Sequence, residues 1–282
     1  MDKPRKVIKS WKSIPTLEGA GVHLRRAFGF QESPKLDPFL LLDDFRSKEV
    51  SKYIKGFPWH PHRGIETITY MLEGKVEHGD SLGNEGVINP GGVQWMTAGS
   101  GIIHQEMPKP SESSSAMGGF QLWANLPASH KMIDPRYRDV TRAMIPEAEL
   151  DGGVKVKIIC GEAGGVKGPV QDIITKPEYL DVAMPEHSSF KHEIPVGFNA
   201  FCYVIEGRAQ FAGHDANNHN IIMFGDGDGL KIETRDNTSR FLLVSGKPIG
   251  EPVAWYGPIV MNTREELVTA FEEYKNGTFI KK

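Results

Sequence analysis

Cysteine is scarce in this sequence. Only two occur among the 282 residues, Cys160 and Cys202, and no CxxC spacing is present. A disulfide framework is therefore excluded, and a thiolate metal site is not expected. Both cysteines have apolar neighbours, which predicts buried, unreactive thiols and favours a reducing, intracellular compartment.

Long apolar runs and an excess of basic charge are also lacking. No stretch of about 18 consecutive apolar residues and no signal-peptide pattern is found, so no membrane association is predicted. The 33 Lys and Arg residues are scattered among 36 Asp and Glu, giving a net charge of -3. This balance argues against direct nucleic-acid binding. The length predicts two globular domains.

Short strand-like segments fill most of the chain. The 31 glycines and 19 prolines interrupt it at short intervals. Between them, segments such as 66–72 and 200–205 carry β-branched and aromatic residues, which are typical of strands. Repeated strands without intervening helices predict an all-β fold of the sandwich or barrel type.

One sequence pattern occurs twice. Residues 70–75 (YMLEGK) are matched by residues 203–208 (YVIEGR), and residues 92–97 (GVQWMT) loosely match residues 229–234 (GLKIET). Two matches in the same order predict two related β-barrels that arose by internal duplication.

The predicted domains divide the chain near its middle. We place an N-terminal barrel over residues 1–133 and a C-terminal barrel over residues 134–282. The second ends in a short α-helix at about 263–275, because Thr263 and Glu266 form a capping-box pattern ahead of helically spaced apolar residues. We expect this helix to pack on a barrel.

Four residues have the spacing of a metal site. His60 and His62 lie two residues apart, so in a strand both rings project from the same face. His104 and Glu106 repeat this spacing. If the two strands are adjacent and antiparallel, three imidazoles and one carboxylate converge. Such a set suits iron, manganese, nickel, copper or zinc rather than magnesium or calcium, and it leaves coordination positions open.

A second carboxylate is also a candidate for the oxygen ligand of the metal. Glu66 follows His62 by four residues and shares its face if the strand is regular. From spacing alone, Glu66 and Glu106 both remain candidates.

The second repeat provides an internal comparison. No HxH or HxE occurs in residues 190–250, so the C-terminal barrel is predicted to carry no matching metal site. The repeat alignment places Glu193, Pro195, Phe241 and Leu243 opposite the four candidate ligands. Six other histidines are expected at the surface: His78, His130, His187, His192, His214 and His219.

Several longer motifs occur in a familiar order. They are LDPFLLLDDF at 36–45, HPHRGIET at 60–67, QWMTAG at 94–99, QLWANLP at 121–127 and GPIVMNT at 257–263. In these motifs the sequence resembles the pirin family of the cupin superfamily. The resemblance implies two cupin (jelly-roll) barrels, with one Fe(II) in the N-terminal barrel. Its implied ligands are His60, His62, His104 and Glu106, which favours Glu106 over Glu66; other divalent transition metals are compatible with the set.

The resemblance also implies an activity. It is that of a quercetin 2,3-dioxygenase, in which a flavonol and O₂ give a depside and carbon monoxide. We expect Glu106 to be the catalytic base, because a carboxylate can be both a metal ligand and a base. The alternative is an iron- and redox-dependent co-regulator that binds a transcription factor or another regulatory protein. We expect a monomer in the cytoplasm, and also in the nucleus if the source is eukaryotic.

Overall fold

The computed structural model describes residues 2–110 and 114–281 and is built almost entirely of β-strands. Two compact units are present. The first comprises Pro15–Pro34, Phe39–Arg142 and Ile249–Lys282, and the second comprises Met1–Ile14, Lys35–Pro38 and Ala143–Pro248. Among the described residues, no helix combines the length and apolar character needed to cross a membrane. The all-β expectation is confirmed.

The strands and helices follow one another closely along the chain. They are β1 (Val7–Lys12), β2 (Ile14–Glu18), β3 (Val22–Phe28), α1 (Ser33–Leu36), β4 (Phe39–Asp44), β5 (Phe57–His62), β6 (Ile65–Glu73), β7 (Lys75–Asp80), β8 (Glu85–Ile88), β9 (Val93–Thr97), β10 (Ile102–Lys109), β11 (Gly118–Asn125), β12 (Arg136–Val140), β13 (Glu147–Leu150), β14 (Val154–Cys160), β15 (Glu162–Ala163), β16 (Val166–Lys167), β17 (Glu178–Met184), β18 (Ser189–Glu193), β19 (Asn199–Phe211), β20 (His214–Asn217), β21 (Asn220–Phe224), β22 (Gly229–Glu233), β23 (Ser239–Gly246), β24 (Ala254–Tyr256), β25 (Ile259–Met261) and α2 (Arg264–Lys275).

The first unit contains two antiparallel sheets and a short hairpin. The larger sheet has the strand order β12-β9-β6-β11-β4-β3-β2, the smaller has the order β5-β10-β7-β8, and β24 pairs with β25. Apolar side chains from several of these strands are buried together, which stabilises the unit by removing them from water. One cluster comprises Val22, Leu24, Phe45, Tyr53, Met71, Val76, Ile88 and Met117.

The second unit has a continuous apolar core. Its main sheet has the order β1-β21-β19-β23-β17-β14-β13, and β18, β20 and β22 join it at the side. Cys202 belongs to this core, and Cys160 is also buried. Both are free thiols, as the sequence predicts.

The predicted C-terminal helix is present as α2. Thr263 is its N-cap: the Thr263 hydroxyl accepts a hydrogen bond from the Glu266 amide, and the Glu266 carboxylate accepts one from the Thr263 amide. This capping box satisfies backbone donors that the first helical turn leaves unpaired.

Helix α2 belongs to the first unit, although it follows the second unit in sequence. Its Ala270 is buried together with Phe279, and the Glu273 carboxylate accepts a 2.7 Å bond from the Arg63 guanidinium. Strand β1 likewise pairs with β21 of the second unit. The compact units therefore differ from the predicted linear division at both chain ends, because each end pairs with a distant part of the sequence. The boundary between residues 133 and 134 stays a prediction.

Arg63 ties α2 to the strand that carries His60 and His62. Its side chain is 2% exposed, it donates to Glu273 and to the Phe279 carbonyl, and its guanidinium lies 4.2 Å from the Phe279 ring.

We expect Glu273→Gln to lower the free energy of unfolding by about 1–3 kcal/mol, because a buried charge then loses its ionic partner. Urea denaturation measures the change. Glu272→Gln is the control on the same helix, and equal stability of the two variants would contradict the role of this ion pair.

Candidate metal centre

The three candidate imidazoles come together through strand pairing. His60 and His62 lie on β5 and His104 lies on β10, and the two strands are antiparallel neighbours. In this register His104 stands directly opposite His60. Because side chains two residues apart project from the same face of a strand, His62 joins the other two rings.

The ring nitrogens converge on one point. The His60 Nε2 lies 3.0 Å from the His62 Nε2 and 3.0 Å from the His104 Nε2. One ligand atom from each histidine lies within 4.8 Å of the others, a spacing that one metal ion can bridge.

Hydrogen bonds on the other side of two rings fix their tautomers. The His60 Nδ1 lies 2.8 Å from the Pro58 carbonyl oxygen, and the His62 Nδ1 lies 3.0 Å from the Pro258 carbonyl oxygen. A carbonyl only accepts, so each Nδ1 donates, and in a neutral imidazole the Nε2 then carries a lone pair. Two lone pairs facing each other at 3.0 Å cannot hydrogen bond. The donor set therefore fits a bound transition-metal cation, for which a backbone carbonyl on the opposite ring nitrogen is a common support.

Burial keeps two of these rings uncharged. The side chains of His62 and His104 are 2% and 1% exposed. Burial, reinforced by the neighbouring histidines, holds the pKa of both imidazoles well below the usual value. Both rings are therefore neutral at physiological pH, the form in which histidine binds metal.

Glu106 lies next to this group but is held by other side chains. The Thr69 hydroxyl donates to its Oε1 at 2.9 Å, and the Gln121 amide donates to its Oε2 at 2.9 Å. The carboxylate is not part of the convergent group that the three imidazoles form. Its assignment as the fourth ligand stays a prediction.

Glu66 occupies a different sheet. The chain leaves β5 after His62, bends at Gly64 with a φ of 78°, and continues as β6 in the larger sheet. Residues 60–66 are therefore not one regular strand, so the premise that placed Glu66 on the face of the histidines is wrong. The Glu66 carboxylate accepts a 2.7 Å hydrogen bond from Thr97, and burial raises its pKa.

His78 is buried beside the candidate site, so its expected surface position is wrong. It lies on β7 directly opposite Glu106, and its ring stacks on Tyr137 with centroids 5.8 Å apart. On β7, buried Val76 and His78 alternate with exposed Glu77. This alternation is typical of a strand with one inward face, and it indicates that the His78 side chain points inward. The sequence indicates less clearly that Gln121 contacts Glu106, because the two residues lie on different strands.

A large cavity opens onto the histidines. Its volume is about 610 Å³, within the range of small-molecule sites. Aromatic side chains form much of its wall. The lining residues include Arg26, Leu41, Asp43, Phe57, Trp59, His60, His62, Gln121, Trp123, Trp255 and Pro258.

The sheet register identifies the equivalent positions in the second unit. Glu106 pairs with His78, four residues after the turn at Gly74. Ile232 pairs with Phe211, four residues after Gly207. Gly74 and Gly207 both adopt a positive φ, 72° and 80°. The counterpart of Glu106 is therefore Ile232.

The remaining counterparts follow from the same register, since Leu230 pairs with His192 as His104 pairs with His60. The predicted alignment through Phe241 and Leu243 is wrong, because β22 rather than β23 corresponds to β10. The predicted alignment through Glu193 and Pro195 is wrong by one residue. Leu230, Ile232 and Ile194 belong to the apolar core and offer no ligand atom. The positions equivalent to His60, His62, His104 and Glu106 are His192, Ile194, Leu230 and Ile232.

Two family models match the chain. Residues 21–124 match the model described as Pirin, and residues 179–280 match the model described as the Pirin C-terminal cupin domain. The chain belongs to the pirin family. The predicted architecture of two cupin domains is thereby confirmed.

Individual pirins and a related crystal structure extend over nearly the whole chain. A pirin-like protein of Caulobacter vibrioides is 46% identical over 276 residues, covering 98% of this chain and 99% of the relative. Pirin of Homo sapiens is 41% identical over 282 residues, covering 98% and 94%. The crystal structure of a quercetin 2,3-dioxygenase from Acinetobacter baumannii matches with a TM-score of 0.90 and 29% identity, covering 98% of both chains.

Replacing Glu106 and Glu66 in turn tests which carboxylate is the fourth metal ligand. We expect Glu106→Gln to weaken metal binding by about tenfold or more, because an amide is a poorer ligand than a carboxylate. Glu66→Gln, the control at a second buried carboxylate, should leave the affinity unchanged. Chelator competition measures both. Loss of affinity in the Glu66 variant instead would assign the ligand to that residue.

The lowered histidine pKa values predict a pH-dependent stability of the metal-free protein. Below about pH 6.5 the unfolded chain binds protons at His62 and His104, whereas the folded chain binds them only at much lower pH. The free energy of unfolding should therefore fall as the pH decreases, by at most about 1.4 kcal/mol per pH unit for each histidine.

Urea denaturation of chelated protein at several pH values measures this slope. His62→Gln should make the slope shallower, whereas His214→Gln, at an exposed position, should keep it. Parallel slopes for the wild type and the His62 variant would rule out this contribution.

Proposed function

We propose that this protein is an iron(II)-dependent dioxygenase that cleaves flavonols of the quercetin type to a depside and carbon monoxide. The observation that carries the proposal is the aromatic cavity that opens onto His60 and His62. The quercetin 2,3-dioxygenase of Acinetobacter baumannii, with a TM-score of 0.90, supports it.

The cavity walls suit a flat aromatic substrate. The Trp123 ring stands edge-on to His62 with centroids 5.1 Å apart, and Trp255 follows at 5.9 Å from Trp123. Aromatic walls bind planar rings through stacking and apolar contact. A polyphenol bound there lies beside the imidazoles.

We assign one Fe(II) to His60, His62, His104 and Glu106. Three nitrogens and one oxygen are a suitable set for iron and leave positions for other ligands. When bound, iron(II) supplies Lewis-acid activation of the flavonol and the redox capacity needed for reaction with dioxygen.

We assign to Glu106 the role of the base that takes the proton of the flavonol 3-hydroxyl group. Each of its oxygens accepts one hydrogen bond, from Thr69 or from Gln121, and an ionised carboxylate has further lone pairs. The Trp123 indole donates to the Gln121 carbonyl oxygen at 3.3 Å, which turns the Gln121 amide nitrogen toward Glu106. These bonds hold the base in one orientation.

The reaction balances without a further co-reactant. One flavonol and one O₂ give one depside and one CO, so both oxygen atoms of O₂ enter the depside while one ring carbon leaves as CO. The co-regulator alternative, the monomeric state and the cellular compartment stay predictions.

Product analysis tests the activity. Anaerobically iron-loaded protein is mixed with quercetin and ¹⁸O₂, and we expect equal amounts of CO and doubly labelled depside. His62→Ala should abolish turnover, whereas His130→Ala, whose ring contacts Ser129 instead, should retain it. An iron-loaded wild-type protein that forms neither product would exclude this function.

A further inference from the structure

A row of polar side chains crosses the larger sheet of the first unit. Arg26 on β3 pairs with Asp43 on β4, Asp43 pairs with Gln121 on β11, and Gln121 pairs with Thr69 on β6. Gln121 and Thr69 both bind Glu106. The row therefore runs from the metal-site carboxylate to a second buried carboxylate, Asp43.

Asp43 is bound by the Arg26 guanidinium, most of whose N–H groups are already used. The Arg26 Nε and Nη2 donate to the two Asp43 oxygens at 2.9 and 2.8 Å, and the Arg26 Nη1 contacts Glu18 at 2.8 Å. Two carboxylates thus share one cation. This part of the wall presents hydrogen-bond acceptors, with a formal excess of one negative charge.

The acceptors face the same cavity as the histidines. Glu18, Arg26, Asp43 and Gln121 all line it, together with His60 and His62 of the metal centre. Asp43 is 5% exposed, and its two oxygens retain lone pairs that Arg26 does not use. A hydroxyl donor that enters the cavity can therefore bind there.

We infer that Asp43, oriented by Arg26, accepts a hydrogen bond from a ring hydroxyl of the bound flavonol other than the 3-hydroxyl. This subsite selects polyhydroxylated flavonols over those that lack ring hydroxyls, and it rests on the proposed function for the identity of the ligand. Burial raises the pKa of Asp43 to about 6, so the carboxyl remains an ionised acceptor above that pH.

Two similar ion pairs elsewhere in the protein serve for comparison. Asp44 receives two bonds from Arg46 at 2.8 and 2.7 Å, and Asp181 receives two from Arg240 at 2.9 and 2.7 Å. Both carboxylates are buried, and neither lines the cavity. Asp44 directly follows Asp43 on β4, so it is a matched control for the effect of removing a buried charge.

Ligand selectivity tests the subsite without turnover. Quercetin and 3-hydroxyflavone, which has no other hydroxyl, are titrated anaerobically into the iron-loaded protein, and tryptophan quenching gives both dissociation constants. The wild type should bind quercetin more tightly, by about tenfold or more, because a hydrogen bond to a charged acceptor is lost with 3-hydroxyflavone. Asp43→Asn should bring the ratio of the two constants close to one, and Asp44→Asn should leave the ratio as in the wild type.

A second variant covers the case in which Asp43→Asn does not fold. Arg26→Lys keeps the positive charge but loses the two-pronged contact, so it should reduce the ratio by a smaller factor. Unchanged ratios in both the Asp43 and the Arg26 variants would overturn the inference even if the wild type releases CO. A ratio that collapses only in these two variants, in a protein that releases no CO, supports the subsite and rejects the dioxygenase.

Discussion

The antiparallel register of β5 and β10 governs the metal centre. It places His104 opposite His60 and thereby brings three imidazoles to one point. Burial disfavours protonation of two of them, and the Pro58 and Pro258 carbonyls direct two lone pairs inward. Such an arrangement is unfavourable unless a cation lies between the nitrogens, because desolvated lone pairs then repel one another. Cavity, carboxylates and aromatic wall are all arranged around this point.

The local part of the centre was predictable from sequence. The i, i+2 spacing at His60 and His62 predicted a shared face, since strand geometry depends only on neighbouring residues. The position of Glu66 was not predictable in this way, because the chain bends at Gly64 and enters a different sheet as β6. The contacts of Gln121 with Glu106 likewise depend on pairing between strands far apart in sequence, which no short motif encodes.

The duplicated units show how one β framework is filled in two ways. Gly74 and Gly207 both adopt a positive φ, and the residues that follow them pair in the same register with β10 and β22. In one unit the inward positions carry histidine and glutamate, whereas Leu230 and Ile232 of the other fill its core with hydrocarbon. Apolar packing favours folding outright, whereas clustered polar groups require satisfied partners. The strand framework tolerates both interiors because register is set by the backbone and the turns.

The hydrogen bond from His62 to the Pro258 carbonyl has a consequence for biogenesis. This carbonyl is supplied by a segment that the ribosome makes almost 200 residues after the histidine. A nascent chain with all three imidazoles already synthesised therefore still lacks the acceptor that orients one of them. Domains generally fold in the order of their synthesis, but this site is completed only when the segment that contains Pro258 joins the first unit. The arrangement of the three imidazoles is thus complete only after that segment has been synthesised.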